Sequence, residues 1–449
     1  MSNMDVGVTK RLAEWLCESD IQSIPEPVVK AATRTLLNWM GCAVGASHHE
    51  SVDIALCALG PFMGTGQASM LGRTEKVDAL NAALLNGISS HVFDFDDTHL
   101  KTIIHPAGPV ASAILALSEY RPVSGQDFLH ALILGVEVEC RIGNAVYPAH
   151  YDVGWHITGT TGVFGAAAAC GRLLGLNPQQ MCWALGTAAT QAAGLREMFG
   201  SMCKPLHVGR AAQNGLASAL LAAEGFTSSE QALEAPRGFA NVLSTQQDYA
   251  EIVEGLGEHY EIVLNTYKPF PCGIVIHPSI DACIQLKQEH GLSGQEIQAM
   301  ELLVHPLVLE LTGKKTPRTG LEGKFSVYHS AAVALVLGRA GMAEYSDEVV
   351  NDPRIIAVRD RVSATADVAI HEAKAIARAQ LNDGRVVEKV VEFAVGSLER
   401  PLSDKAIAEK VHDLSDPILG AEAVDQMIQT CRSVWDLEDA SQLTSVATP

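Results

Sequence analysis

The chain has 449 residues, with 32 basic and 52 acidic side chains, so its net charge is −20 with histidine neutral. Such an acidic surplus excludes nucleic acid and anionic membrane as partners, because phosphate recognition needs a basic surface. With 47% apolar and 19% charged residues the chain can bury sizeable cores, and its length suits two to three domains of about 150 residues.

The first 250 residues read as helices separated by short Gly/Pro/Asn punctuation. Pro27-Val28-Val29 opens a helix that runs through Leu36, Leu37 and Met40. Leu80, Leu84, Ile88 and His91 fall on one helical face. Val110 to Leu117, Phe128 to Val138, Val163 to Leu174 and Ala211 to Ala223 continue the pattern. Aromatics make up only 5% of the chain, so Ala, Gly, Leu and Val fill the interior and helices approach closely. Near Tyr260 the pattern changes. Tyr260–Leu264 and Met300–Val304 have strand composition, Lys374–Leu381 and Val386–Phe393 alternate, and Asn382-Asp383-Gly384-Arg385 between them signals a hairpin. Lys324 to Leu337 reads as a helix, with Lys324 and Tyr328 on one face. The expected fold is therefore mainly α: a large all-helical domain over 1–264, an inserted α+β lid domain over 265–398, and a helical return over 399–449.

None of the ten cysteines forms a CxxC or CxxxC pair, which suits a reducing compartment. Met1–Lys10 lacks an apolar signal core and no run of eighteen apolar residues occurs, so the expectation is a soluble, cytoplasmic protein with no membrane contact.

Several strings could carry chemistry. Asp94-Phe95-Asp96-Asp97-Thr98 matches the DxDxT of aspartyl phosphotransferases, but it follows a helical stripe instead of a strand; a solvated acidic loop is the plainer alternative. His99 and His105 beside these aspartates invite a metal, yet no ligand pair at fixed helical spacing occurs, and no metal is expected. His105 precedes a helix start, where it reads either as a structural cap or as an imidazole that the helix dipole keeps neutral and able to accept a proton. Gly154-Trp155-His156 through Gly162 offers glycine and hydroxyl groups before a helix, suited to an anion or to close packing. Lys204, His207 and Arg210 form a rare basic cluster, the lysine preceding a proline turn and a helix expected from Ala211, which suits either a substrate carboxylate at the helix start or a surface turn of solvated charges. Cys272 has no base nearby in sequence and reads as a buried, inert thiol.

Taken together, Asp94–Thr98 with His105-Pro106, Gly154-Trp155-His156, Lys204-Pro205-Leu206-His207-Val208-Gly209, His277-Pro278 and Lys324-Phe325-Ser326 resemble the MmgE/PrpD family, over nearly the whole chain from Val8 to beyond Phe393. That family includes 2-methylcitrate dehydratase, cis-aconitate decarboxylase and iminodisuccinate epimerase. The resemblance implies a helical domain with an α+β lid, usually a homodimer, and a cofactor-independent enzyme that removes a proton or CO₂ next to a carboxylate of a small di- or tricarboxylate. It implies a pocket of Asp94, Thr98, His105, His156, Lys204 and His277. On this reading His105 or Lys204 is the base, Asp94 orients a histidine, and His156 or His329 returns the proton. Thr98, His277, Tyr328, His329 and Arg210 then contact substrate. His329 stands where the decarboxylases place a tyrosine, one extra residue separates Thr98 from His105, and Ala107-Gly108-Pro109 differs from the dehydratase string. These departures favour an epimerase, with a dehydratase, a decarboxylase or a catalytically inactive binding homologue as alternatives.

Overall fold

The computed structural model describes residues 7–449, so most of the Met1–Lys10 segment read for a targeting signal lies outside it. The main helices are α1 (Val8–Glu18), α2 (Glu26–Gly45), α3 (Glu50–Leu59), α4 (Ala79–Val92), α5 (Ala107–Tyr120), α6 (Gly125–Val146), α7 (Ile157–Leu174), α8 (Pro178–Ala189) and α9 (Cys203–Ala223). They are followed by α10 (His277–His290), α11 (Val327–Leu337), α12 (Asp404–Leu419) and α13 (Ala421–Arg432). The protein is mainly α, as expected. It divides into two compact units. Unit 1 takes the chain up to Val92, Asp96–Thr266 and Ser403–Pro449; unit 2 takes Phe93–Phe95 and Tyr267–Leu402. Among the described residues no helix is long and apolar enough to cross a membrane.

In unit 1, α7 packs on α6 and α9, and α9 packs on α4 and α5. Small residues set the spacing. A Cβ on Gly215 would lie 2.4 Å from Ala166 Cβ, and one on Gly87 would lie 2.6 Å from Gly209 Cα. Only glycine allows backbones this close, which explains the Ala- and Gly-rich, aromatic-poor composition. Among the large side chains of unit 1, Trp39, Phe128 and Phe164 are fully buried. Each contributes about 1.5–3 kcal/mol of burial.

In unit 2 the strands β1 (Ile297–Val304), β2 (Val362–Ala366), β3 (Ala375–Leu381) and β4 (Val386–Val391) form one sheet in the order β2-β1-β3-β4. The β1–β2 pair is parallel and the other two pairs are antiparallel. Met300, Leu302 and Val304 alternate inward with Ala375, Ala377, Ala379 and Leu381, and α10 lies against β3, β4 and α11. The predicted hairpin closes as Leu381 N–H bonds Arg385 O at 2.8 Å, with Gly384 at φ 88°.

Several local expectations are corrected. Glu261–Leu264 is a 3₁₀ turn, and only Asn265–Tyr267 is extended. The helix expected from Ala211 starts at Cys203, because Pro205 falls in the first turn, where its missing N–H costs nothing. Likewise α7 starts at Ile157, so the Gly/Thr string forms its first turns. Lys324 ends a short Gly320–Gly323 turn ahead of α11, so it does not share a helical face with Tyr328.

Candidate active site

The acidic string is no solvated loop. Asp94, Asp96 and Asp97 are buried, as are Thr98 and His99. Burying carboxylates is costly unless each is bonded, and the bonding pattern gives every one a distinct environment.

In unit 1 four histidines gather. His91 lies in the last turn of α4, His105 just before α5, His156 at the N-cap of α7, and His207 in α9. The His91 ring centroid is 4.9 Å from that of His105 and 5.8 Å from that of His156, and His156 is 5.2 Å from His207. His105 Nδ1 sits 2.7 Å from the Asp97 carbonyl oxygen and 3.2 Å from Thr98 Oγ1. A carbonyl only accepts, so Nδ1 carries the proton and the basic lone pair is on Nε2. The His105 backbone N–H donates to Thr158 Oγ1 at 3.1 Å, tying the histidine to the first turn of α7.

Asp96 Oδ2 bonds His91 Nδ1 at 2.6 Å, and its Oδ1 lies 3.7 Å from His105 Nδ1. Asp97 Oδ2 accepts from Ala107 N–H at 3.1 Å and Asn265 Nδ2 at 2.6 Å. Burial first, then the neighbouring Asp96 charge, pushes the Asp97 carboxyl up to about 7. His156 and His207 share a 3.0 Å Nδ1···Nδ1 hydrogen bond, which needs one donor and one acceptor. Burial holds His156 well below its ordinary value and takes His207 down to about 4, with His91 and Lys204 adding to both. Lys204, in the first turn of α9, is buried; its ammonium lies 5.2 Å from the Phe199 ring centre, and that ring meets His156 edge-on at 5.0 Å.

Unit 2 carries a second buried charge cluster. Lys268 Nζ donates to Asp94 Oδ1 at 2.7 Å and to the Asp94 carbonyl at 3.2 Å, while Lys324 Nζ bonds the Phe93 carbonyl. These two lysines hold the Phe93–Phe95 segment in unit 2, with Asp94 at φ 54°, a region aspartate tolerates better than most residues. His277 is the first residue of α10, packed edge-on against Phe270 at 5.3 Å. Burial raises the Cys272 thiol to about 12, in keeping with an inert role.

The expected residues therefore divide between the units. His105, Thr98 and His156 share the unit 1 histidine cluster, and Lys204 joins it through Phe199. Asp94, read as orienting a histidine, bonds Lys268 in unit 2; within the unit 1 histidine cluster the carboxylate bonded to a ring is that of Asp96. Arg210 is exposed and donates to Gln213, so it is an ordinary surface cation. His329 bonds the Glu344 carbonyl through Nε2 at 2.9 Å and packs edge-on against Tyr345, a core role. Tyr328 is buried in the unit 2 core, its ring 5.7 Å from Lys315 Nζ. Sequence reasoning missed His91, Asp96, Thr158, Phe199 and Lys268 as site residues. The only sequence signal for the first pair was a histidine ending a helical stripe five residues before an aspartate.

Donor atoms of His91, Asp96 and His105 lie within 4.8 Å of one another, close enough for a metal ion. His91 Nδ1 bonds Asp96 and His105 Nδ1 bonds the Asp97 carbonyl, so on both rings Nε2 is the nitrogen left to act as a base or as a ligand. His99, the other metal candidate, spends both ring nitrogens on Thr102 and Glu261.

Comparison with known proteins supplies the remaining context. Residues 10–252 match the family model described as MmgE/PrpD N-terminal domain, and residues 270–437 match MmgE/PrpD C-terminal domain. The chain is 27% identical over 473 residues to the cis-aconitate decarboxylase-like protein oryM of Aspergillus oryzae, covering 99% of this chain and 98% of that protein. It is 25% identical to cis-aconitate decarboxylase of Homo sapiens, covering 98% and 94%. It is also 25% identical to 2-methylcitrate dehydratase of Escherichia coli, covering 81% of each.

Proposed function

Because this chain belongs to the MmgE/PrpD family, we propose that it is a cofactor-independent enzyme that removes the proton alpha to a carboxylate of a small di- or tricarboxylate, with epimerisation as the outcome. The observation that carries this reading is the His105 hydrogen bond to the Asp97 carbonyl, which leaves Nε2 as the nitrogen able to accept a proton and so supports His105 as the base. His105 stands before the N-terminus of α5, where the helix dipole disfavours imidazolium, and the ring is buried. In the reaction His105 Nε2 takes the α-proton. Lys204 and backbone N–H groups of the α9 first turn stabilise the enolate charge and a substrate carboxylate.

Epimerisation needs a second group to return the proton. His156 fits, because it too stands at a helix N-terminus and its buried Nε2 has no hydrogen-bond partner among the described residues. His91 neighbours both rings, at 4.9 Å from His105 and 5.8 Å from His156, so the two candidate bases belong to one cluster. Decarboxylation is the second reading. Its support is that the decarboxylase relatives align over nearly the whole chain and the dehydratases over 81% of it.

The experiment is a panel of di- and tricarboxylates incubated with the protein in deuterated water and followed by NMR. Epimerisation gives deuterium at the α-carbon together with the diastereomer, dehydration gives an olefin, and decarboxylation loses a carboxyl carbon. If folded protein exchanges no α-proton on any member of the panel and changes none of them, the reading fails.

A further inference from the structure

His91 lies outside the residues the family resemblance carries over, yet its ring is the one that neighbours both His105 and His156. Helix ends distinguish these three histidines. His105 and His156 stand at helix N-termini, which disfavour a positive charge; His91 is in the last turn of α4, where the C-terminal carbonyls favour one. Asp96 reinforces the difference, since its carboxylate is 2.6 Å from His91 Nδ1 and 3.7 Å from His105 Nδ1.

A fully buried Asp96 carboxylate with only His105 beside it would hold a proton on that ring and spoil it as a base. We propose that His91 and Asp96 form a standing imidazolium–carboxylate dyad, a positioning pair that neutralises Asp96 and so keeps His105 free of a second proton. The inference rests on His105 as the base. The charged and titratable groups around the dyad are Asp97 from the acidic string, His105 ahead of α5, His156 from α7 and His207 from α9. Of these only Asp97 favours charge on an imidazole.

The two halves of such a dyad act on His105 in opposite directions. His91→Gln keeps a donor for Asp96 but removes the cation, so Asp96 turns on His105. The acidic limb of the kcat/KM profile then moves to higher pH by about one pH unit, and the activity lost at neutral pH returns on the alkaline side. Asp96→Asn removes the anion, and the limb moves to lower pH. The double variant returns toward wild type. Single variants that shift the limb in the same direction, or not at all, would overturn the proposal.

A second measurement needs neither substrate nor a variant that folds. In ligand-free wild-type protein, nitrogen-15 imidazole spectra should show one histidine with both ring nitrogens protonated through neutral pH, its ring protons in contact with those of His105 and His156. A neutral His91 in those spectra overturns the dyad, as does one equivalent of tightly bound divalent metal by elemental analysis. Were the carboxylate panel to show no reaction, the proposed function would fail while these spectra still decided the state of His91.

Discussion

His105 gives its Nδ1 proton to the carbonyl of Asp97 across 2.7 Å, and that one bond decides which nitrogen can act as a base. The carbonyl belongs to a residue whose own carboxylate accepts the N–H of Ala107, the first residue of α5. Ring orientation and helix start are thus fixed by a single residue, eight positions upstream of the histidine.

His105→Ala should lower α-proton exchange by about 10²–10⁴-fold, the usual contribution of a positioned base. Lys204→Ala should lower it as well, through lost enolate stabilisation. Circular dichroism and the melting temperature should stay near wild type for both. Full exchange in both variants would remove them from the site.

Asp97 gives stability a defined pH dependence. Its carboxyl titrates at about 7 in the folded chain against 3.8 ordinarily, so between those values the folded state binds the extra proton. The contribution is fully present below about pH 4 and is lost as pH rises through 7. Relative to Asp97→Asn, wild type should therefore lose stability from pH 4 to 7 and run parallel above it. Urea denaturation of the pair at several pH values reads the difference directly.

Glu139 is fully buried in α6, and neither carboxylate oxygen has a hydrogen-bond partner among the described residues. Burial, reinforced by Asp97, holds its carboxyl well above the ordinary range. Glu139→Met keeps the length and removes the unmet polar group. Thermal denaturation should show a gain of about 1–3 kcal/mol, and a loss of that size would mean that Glu139 has a partner in solution.

A Cβ at Gly159 would lie 2.6 Å from the Ala193 carbonyl and 3.0 Å from His207 Cβ. Gly159→Ala must displace backbone or the histidine, so a loss of about 1–3 kcal/mol is expected, with reduced turnover. Denaturation and exchange assays on the same preparation check both.

Lys268→Met should destabilise the protein by about 3–5 kcal/mol, because it leaves the buried Asp94 carboxylate without its ammonium partner. Adding Asp94→Asn should recover most of that loss. Equal stability of Lys268→Met and wild type would show that the pair contributes nothing to unit 2.

The sequence by itself determined what is local and periodic. Apolar recurrence located the helices, strand composition located β1, alternation located β3 and β4, and Asn382–Arg385 fixed the hairpin, because these patterns depend on neighbours within a few residues. Motif order sufficed for the family, since five short strings in register constrain a chain more than any one of them. Tertiary structure decided the roles. Asp94, Asp96 and Asp97 are interchangeable in a string, yet one pairs with Lys268, one with His91, and one orients His105 and caps α5. Which partner each receives depends on elements up to 174 positions away in the chain. Burial then converts those partnerships into charge states, moving Asp97 to about 7 and His207 to about 4. Desolvation and the direction of a helix dipole are properties of packing, and no spacing of residues along the chain encodes them.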